Sequence, residues 1–314
     1  MIAGQELRLR QIRKIACLLT ALSLLVVLLS AWLRLDAAGL GCPDWPACYA
    51  QLLSSEPPAQ TFGPLRLWHR AVASLVLVLA CYLAWLCWRR PALPSPAAPA
   101  SVLVCLVLAL AVLGFWSADP RLLLVAFLNI LGGLGLVSFA WRVVLASSPD
   151  AMPGRVAKLA PGRPARRLLQ FGGAVLSLTV ILGALIGARY EALACLSVPD
   201  CAGHWWPTAA GWEALQAFAA VNGPPAAGEA GGLSLHLLHR WSALLTLCLL
   251  GSAGWLALAD GAMRKAAIAL LLLLSAQVLL GALTVLSGFS LWLAIAHACG
   301  AAVLLATLAS LLRR

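Results

Sequence analysis

Eight runs of about twenty mostly apolar residues leave this chain one kind of fold. They lie near 15–35, 67–88, 101–117, 121–143, 167–188, 234–258, 265–286 and 290–311. Each is long enough to cross the roughly 30 Å hydrocarbon core of a bilayer. Backbone polar groups find no water at that depth, so single apolar runs of this length must satisfy themselves as helices. The expected fold class is therefore an all-α integral membrane protein with eight transmembrane helices. A soluble globular domain is excluded, because 62% of the residues are hydrophobic, 11% are charged and the mean hydropathy is +0.94. The first run follows basic residues, as a signal peptide does. It continues for about 20 residues with no small-residue cleavage site after it, and is read as a retained span.

The net charge of +11 raises the question of nucleic acid, and its distribution answers it. With the N-terminus placed in the cytoplasm, 16 of the 22 Lys and Arg residues fall in inside segments, while eight of the eleven acids fall outside. This is the positive-inside pattern, with both termini cytoplasmic, and it leaves no call for a nucleic-acid partner. Contact with anionic membrane lipid is a secondary use of the same charge.

Four features repeat along the chain. The first span leads to an outer loop, DAAGLGCPDWPACYAQ, with Cys42 and Cys48 six positions apart; the fifth leads to a loop with Cys195 and Cys201, again six apart. Placed in the oxidising compartment, each pair is expected as a disulfide. Unpaired thiols remain the alternative, and a copper site is disfavoured by the scarcity of Met and nearby His. LWHRAVASLVL at 67–77 is echoed by LHLLHRWSALL at 235–245. Cys42 and Cys195 are 153 positions apart, His69 and His239 170, and Asn129 and His297 168. A duplicated four-span unit follows, with an N-terminal half at 1–144, a basic, proline-containing linker at 145–167 and a C-terminal half at 168–314. The six other cysteines, Cys17, Cys81, Cys87, Cys105, Cys248 and Cys299, read as small buried hydrophobes, and PALPSPAAPAS at 91–101 as a turn.

Ionisable groups inside a span are costly, which makes the histidines candidates for a site. His239 and His297 lie roughly 8 and 10 Å from the same face, on different helices of one half. Two imidazoles at equal depth suit a planar metalloporphyrin with one on each side of its iron. Ala294, Ala296, Ala298 and Gly300 leave room for the ring, and Arg240 is placed to pair with propionates. Zinc is weaker, since too few convergent ligands are available. Structural histidines stay open as the plain alternative, and proton conduction lacks a chain of carboxylates. Asn129 serves equally as helix packing beside Gly132, Gly133 and Gly135 or as a cofactor contact.

Taken in order, GLGCPDWPAC, WHR, NILGG, ALACLSVPDCAGHWWP, HLLHR and AHACGAAVLL resemble the haem A synthase family of proteobacterial type, across essentially the whole chain. The resemblance implies two pseudo-symmetric four-helix bundles in the bacterial inner membrane. It implies haem b as cofactor on His239 and His297, and haem O as substrate in the first half near His69. The substrate's C8 methyl is oxidised to a formyl group for cytochrome oxidase biogenesis, and a farnesyltransferase is the source of haem O. The cysteine pairs match the family's outer-loop pairs. Arg70, Arg240 and His236 are candidate cofactor contacts. Oligomeric state is not set, so a homo-oligomer stays open.

Two positions depart from the family. Arg66 stands where a glutamate is usual, one turn before His69, and Asn129 stands where the second first-half histidine is usual. An asparagine is a poor iron ligand, and an arginine cannot donate a proton as a carboxylic acid does. His69, Arg66 and Asn129 therefore form the candidate catalytic set. A rival reading follows from the same residues: a diverged relative that binds haem without oxidising it. A repeat-built transporter is disfavoured because no span is broken at mid-membrane.

Overall fold

The computed structural model describes residues 2–54, 63–117, 119–148, 163–215, 218, 223–261 and 263–312. Among them run α1 (Ile2–Ala37), α2 (Gly63–Trp88), α3 (Pro94–Leu113), α4 (Leu123–Ala146), α5 (Arg163–Ala188), the short α6 (Ala209–Ala214), α7 (Ala230–Ala257), α8 (Arg264–Leu286) and α9 (Leu291–Leu312). Eight of these, all but α6, are long and apolar enough to cross a membrane. Of the 145–167 linker, 149–162 lie outside the described residues.

Several helices extend beyond the apolar runs that announce them. The 36 residues of α1 run about 54 Å at 1.5 Å per residue, so its Arg- and Lys-bearing turns project past the hydrocarbon. The expectation of a turn at 91–101 is corrected: α3 begins at Pro94 and includes Pro99 within it. Prolines in a first helical turn lose only amide donors that have no intrahelical partner there. Pro94 and Pro96 thus start the helix rather than block it. The six unpaired cysteines also differ from expectation, for only Cys87 is buried. Cys17, Cys81, Cys105 and Cys248 are exposed and Cys299 is intermediate. Lipid tails are as apolar as a protein core, so a small apolar side chain has no reason to turn inward.

In the first half α1 packs on α2 and α4, and α3 packs on α2 and α4; in the second half α5 packs on α7 and α9, and α8 on α7 and α9. One buried cluster, running from Ile12 to Val144, belongs wholly to the first set. Another, from Leu169 to Leu311, belongs wholly to the second. The sets meet where α1 and α4 touch α9 and where α4 touches α5. Gly132 and Gly135 of α4 face Leu110 and Leu106 of α3, and Gly133 faces Val27 of α1, so the glycine face next to Asn129 is a packing face.

Each outer loop crosses to the opposite set. The loop of the first half places Leu40, Tyr49 and Leu53 in a cluster with Tyr190, Ala192 and Phe289, and Trp45 lies 6.2 Å from the Phe289 ring. In return Phe218 meets Phe127 of α4 at 5.6 Å, edge to face. Both loops are closed by disulfides, Cys42–Cys48 and Cys195–Cys201.

Candidate functional site

His239 and His297 come together. They stand on α7 and α9, which share neighbours in α5 and α8 and, among the described residues, form no extended packing seam with each other. Their ring centres are 6.5 Å apart and the planes cross at 81°. Two imidazoles bound to opposite sides of one metal ion through bonds of about 2 Å put their ring centres roughly 6 Å apart, so the spacing fits a shared metal. α7 begins at Ala230, a turn earlier than its apolar run suggests.

Neighbouring helices hold each ring. The His239 Nδ1–H donates to the Thr179 carbonyl of α5 at 3.0 Å, which leaves Nε2 as the nitrogen with a free lone pair. Thr179 is itself paired with Thr246 through their hydroxyls, 3.2 Å apart. His297 has the Gln277 backbone of α8 as hydrogen-bond partner. The Gln277 amide lies alongside, 3.2 Å from His297 Nδ1 and 3.2 Å from the Ala301 amide.

Beneath the rings are two glycines. A Cβ on Gly183 of α5 would sit 3.0 Å from His239 Cε1, and one on Gly281 of α8 would sit 3.2 Å from His297 Cε1. Both glycines occur in the string LGAL, at 182–185 and 280–283. Thr179, Gln277, Gly183 and Gly281 are not among the residues the sequence reading singles out. The repeated LGAL was the available signal, masked because such strings are ordinary in apolar helices.

The rest of HLLHRW fastens the outer loop to α7. His236 is 6% exposed, and its Nε2–H donates to the Glu191 carbonyl at 2.8 Å. Arg240 donates from Nη1 to the carbonyls of Asp200 at 2.6 Å and Pro199 at 3.2 Å, gripping the Cys195–Cys201 ring. Its Nη2 is buried and has no partner. Trp241 donates from Nε1 to the Trp205 carbonyl at 2.7 Å. A half-buried guanidinium with one buried, unused donor, next in sequence to His239, is suited to an acidic group on a bound ligand.

The loop end of this site contains a buried acid. Glu191 is 2% exposed, its Oε1 accepts from Arg189 Nε at 3.1 Å and its Oε2 has no partner. Burial pushes its carboxyl up to about 7, with the Glu229 carboxylate adding to the rise and Arg189 opposing it. The folded state therefore holds a proton that the unfolded chain has released by that pH. The resulting stability is fully present below the ordinary carboxyl range near 4.5 and is lost as pH rises through about 7. Thermal denaturation across pH 4.5–8 should show this fall in the wild type and a flatter profile in Glu191→Gln. Equal profiles would remove Glu191 as its source.

The first-half residues are arranged differently. His69 is half-buried at the outer turn of α2, Arg66 and Arg70 are exposed on the same turns, and Asn129 is half-buried in α4. Among the described residues, no hydrogen bond or ring contact joins His69 to Asn129, and no backbone carbonyl anchors the His69 ring.

Eight spans and a facing, anchored histidine pair define a polytopic membrane protein with two imidazoles brought together between its helices. The family model described as Cytochrome oxidase assembly protein (COX15-CtaA) matches residues 66–309, and the chain belongs to that family. It is similar to Heme A synthase of Shewanella oneidensis, 30% identical over 314 residues that span 92% of each protein. Heme A synthase of Sphingopyxis alaskensis is 28% identical over 267 residues, covering 78% of this chain and 68% of its own. Heme A synthase of Shouchella clausii is 27% identical over 199 residues, covering 60% and 64%.

Proposed function

We propose that the protein is a haem A synthase, an oxidoreductase that converts the C8 methyl group of haem O to a formyl group and so supplies haem A for cytochrome oxidase. Family membership supports the activity. The observation that carries the cofactor assignment is the 6.5 Å separation of the His239 and His297 rings. These two residues would hold a haem b through their Nε2 atoms, and the unpaired Arg240 Nη2 would be available to a propionate. Haem b bound there would supply one-electron transfer. The chain's own part is to fix both ring orientations through Thr179 and Gln277, and to close the outer side with the disulfide loops. Haem O, delivered from a farnesyltransferase, occupies the first half with His69 facing it.

The two halves, 1–144 and 168–314, form pseudo-symmetric four-helix bundles related by a two-fold axis along the membrane normal. Two contacts support this arrangement. Arg34 Nη1 donates to the Gly187 carbonyl at 3.3 Å across 153 positions, the same offset that separates Cys42 from Cys195. Trp141 Nε1 donates to Ser310 Oγ at 2.7 Å across 169 positions, within one residue of the offset from Asn129 to His297. Equivalent positions of two copies touch only where the axis passes between them. The charge distribution supports cytoplasmic termini, and the family resemblance supports the bacterial inner membrane.

A second reading is favoured by the first half. It has Arg66 and Asn129 in place of a carboxylate and an imidazole, and its histidine lacks the backbone anchor that holds His239. On that reading the protein binds haem in its second half and acts in haem handling or oxidase assembly without oxidising it. Pigment extraction after co-expression with a haem O supply separates the two. The synthase reading expects haem A or its hydroxylated precursor in the extract; haem b alone sinks it.

A further inference from the structure

At the membrane end where α1 begins lies a cavity remote from the histidine pair, lined by Gly4, Gln5, Arg8, Arg89, Arg90 and Pro91. Arg8 is 6% exposed. Its Nη1 donates to the Arg89 carbonyl at 3.1 Å and its Nη2 donates to the Pro91 carbonyl. The guanidinium thus clamps the connection between α2 and α3 onto α1. Its Nε is buried and has no partner, and a buried donor left unused on a permanent cation is costly. Arg89 lies over the Trp85 ring, 5.2 Å from its centre, and Arg90 is exposed at the rim.

Among the described residues, no acidic side chain lines the cavity. A lining that includes three arginines suits an oxyanion that offers several acceptor oxygens, since planar N–H donors match phosphate geometry. The cavity lies past the end of the α2 span, at the depth where a bilayer places its headgroups. The corresponding link between α7 and α8, Leu258–Met263, carries Asp260, and Arg264 and Lys265 follow it at the start of α8. We propose that the cavity formed by Arg8, Arg89 and Arg90 is a binding site for a phosphate group, as presented by an anionic phospholipid headgroup or by free phosphate.

Native mass spectrometry and thermal denaturation of the full-length protein in uncharged detergent test this, with phosphatidylglycerol, phosphatidylcholine and inorganic phosphate as separate probes. Wild-type protein should retain phosphatidylglycerol in preference to phosphatidylcholine. Arg90→Gln and Arg89→Gln should each weaken that retention by about fivefold, the worth of one basic residue at an anionic surface. Arg8 is left intact because its loss would also release the clamp on the α2–α3 connection. Stabilisation by inorganic phosphate alone, lost in Arg90→Gln, would keep the site and assign it to free phosphate. Equal retention of both lipids by all three proteins, with no effect of phosphate, would overturn it.

Discussion

His297→Ala should abolish the low-spin haem b absorbance of the purified protein, and His239→Ala should do the same. Each ring is one of a facing pair 6.5 Å apart, so either truncation leaves iron with a single protein ligand and ends the bis-imidazole ligand field. The fold should survive the change at His297, which is half-buried in α9 with Ala294, Ala296, Ala298 and Gly300 close in sequence. Far-ultraviolet circular dichroism should therefore match the wild type while the spectrum of the bound pigment changes. A low-spin spectrum retained in either variant would remove the ligand assignment without touching family membership.

The second large effect should come from residues that bear no donor atom. Gly183→Val and Gly281→Val place branched carbon beneath the His239 and His297 rings, where even a bare Cβ would stand 3.0 and 3.2 Å from Cε1. Neither ring can retreat freely, because the Nδ1 of His239 is tied to Thr179 and His297 is tied to Gln277. Overpacking of this kind costs about 1–3 kcal/mol, which in haem affinity is a loss of about 5- to 150-fold. Gly251→Val is the control, for nothing lies within 4 Å of a Cβ there. Haem titration of the purified proteins reads the difference, and equal affinity in all three would show that the rings are not confined by these glycines.

The two halves differ in what they invest around their histidines. His239 has a carbonyl on Nδ1, a glycine under its ring and a partner across the slot. His69 has an exposed arginine one turn before it and an asparagine at the matching position of α4. On the proposed reading, this contrast puts electron transfer in the second half and substrate oxidation in the first.

Much of the architecture was legible in residues alone. Eight apolar runs dictate eight helices because lipid offers no alternative partner for the backbone, and the spacings of Cys42–Cys48 and Cys195–Cys201 announce the disulfides. Helix ends were less legible. The prolines at 94, 96 and 99 signal a break in sequence, yet the first of them supplies a helix start. Likewise the cysteines in the spans carry no sign of which helix face meets lipid.

The sequence by itself determined the spans, the repeat and the choice of His239 and His297 as the histidine pair, because each follows from local hydropathy or from spacing within the chain. Only the tertiary structure decided which carbonyl holds each imidazole, that Gly183 and Gly281 lie under the rings, and that each outer loop crosses to the opposite half. The physical reason is that these contacts join helices distant along the chain, whose relative rotation is set by packing. An apolar sequence records which residues avoid water but not which neighbour each one meets in a bilayer.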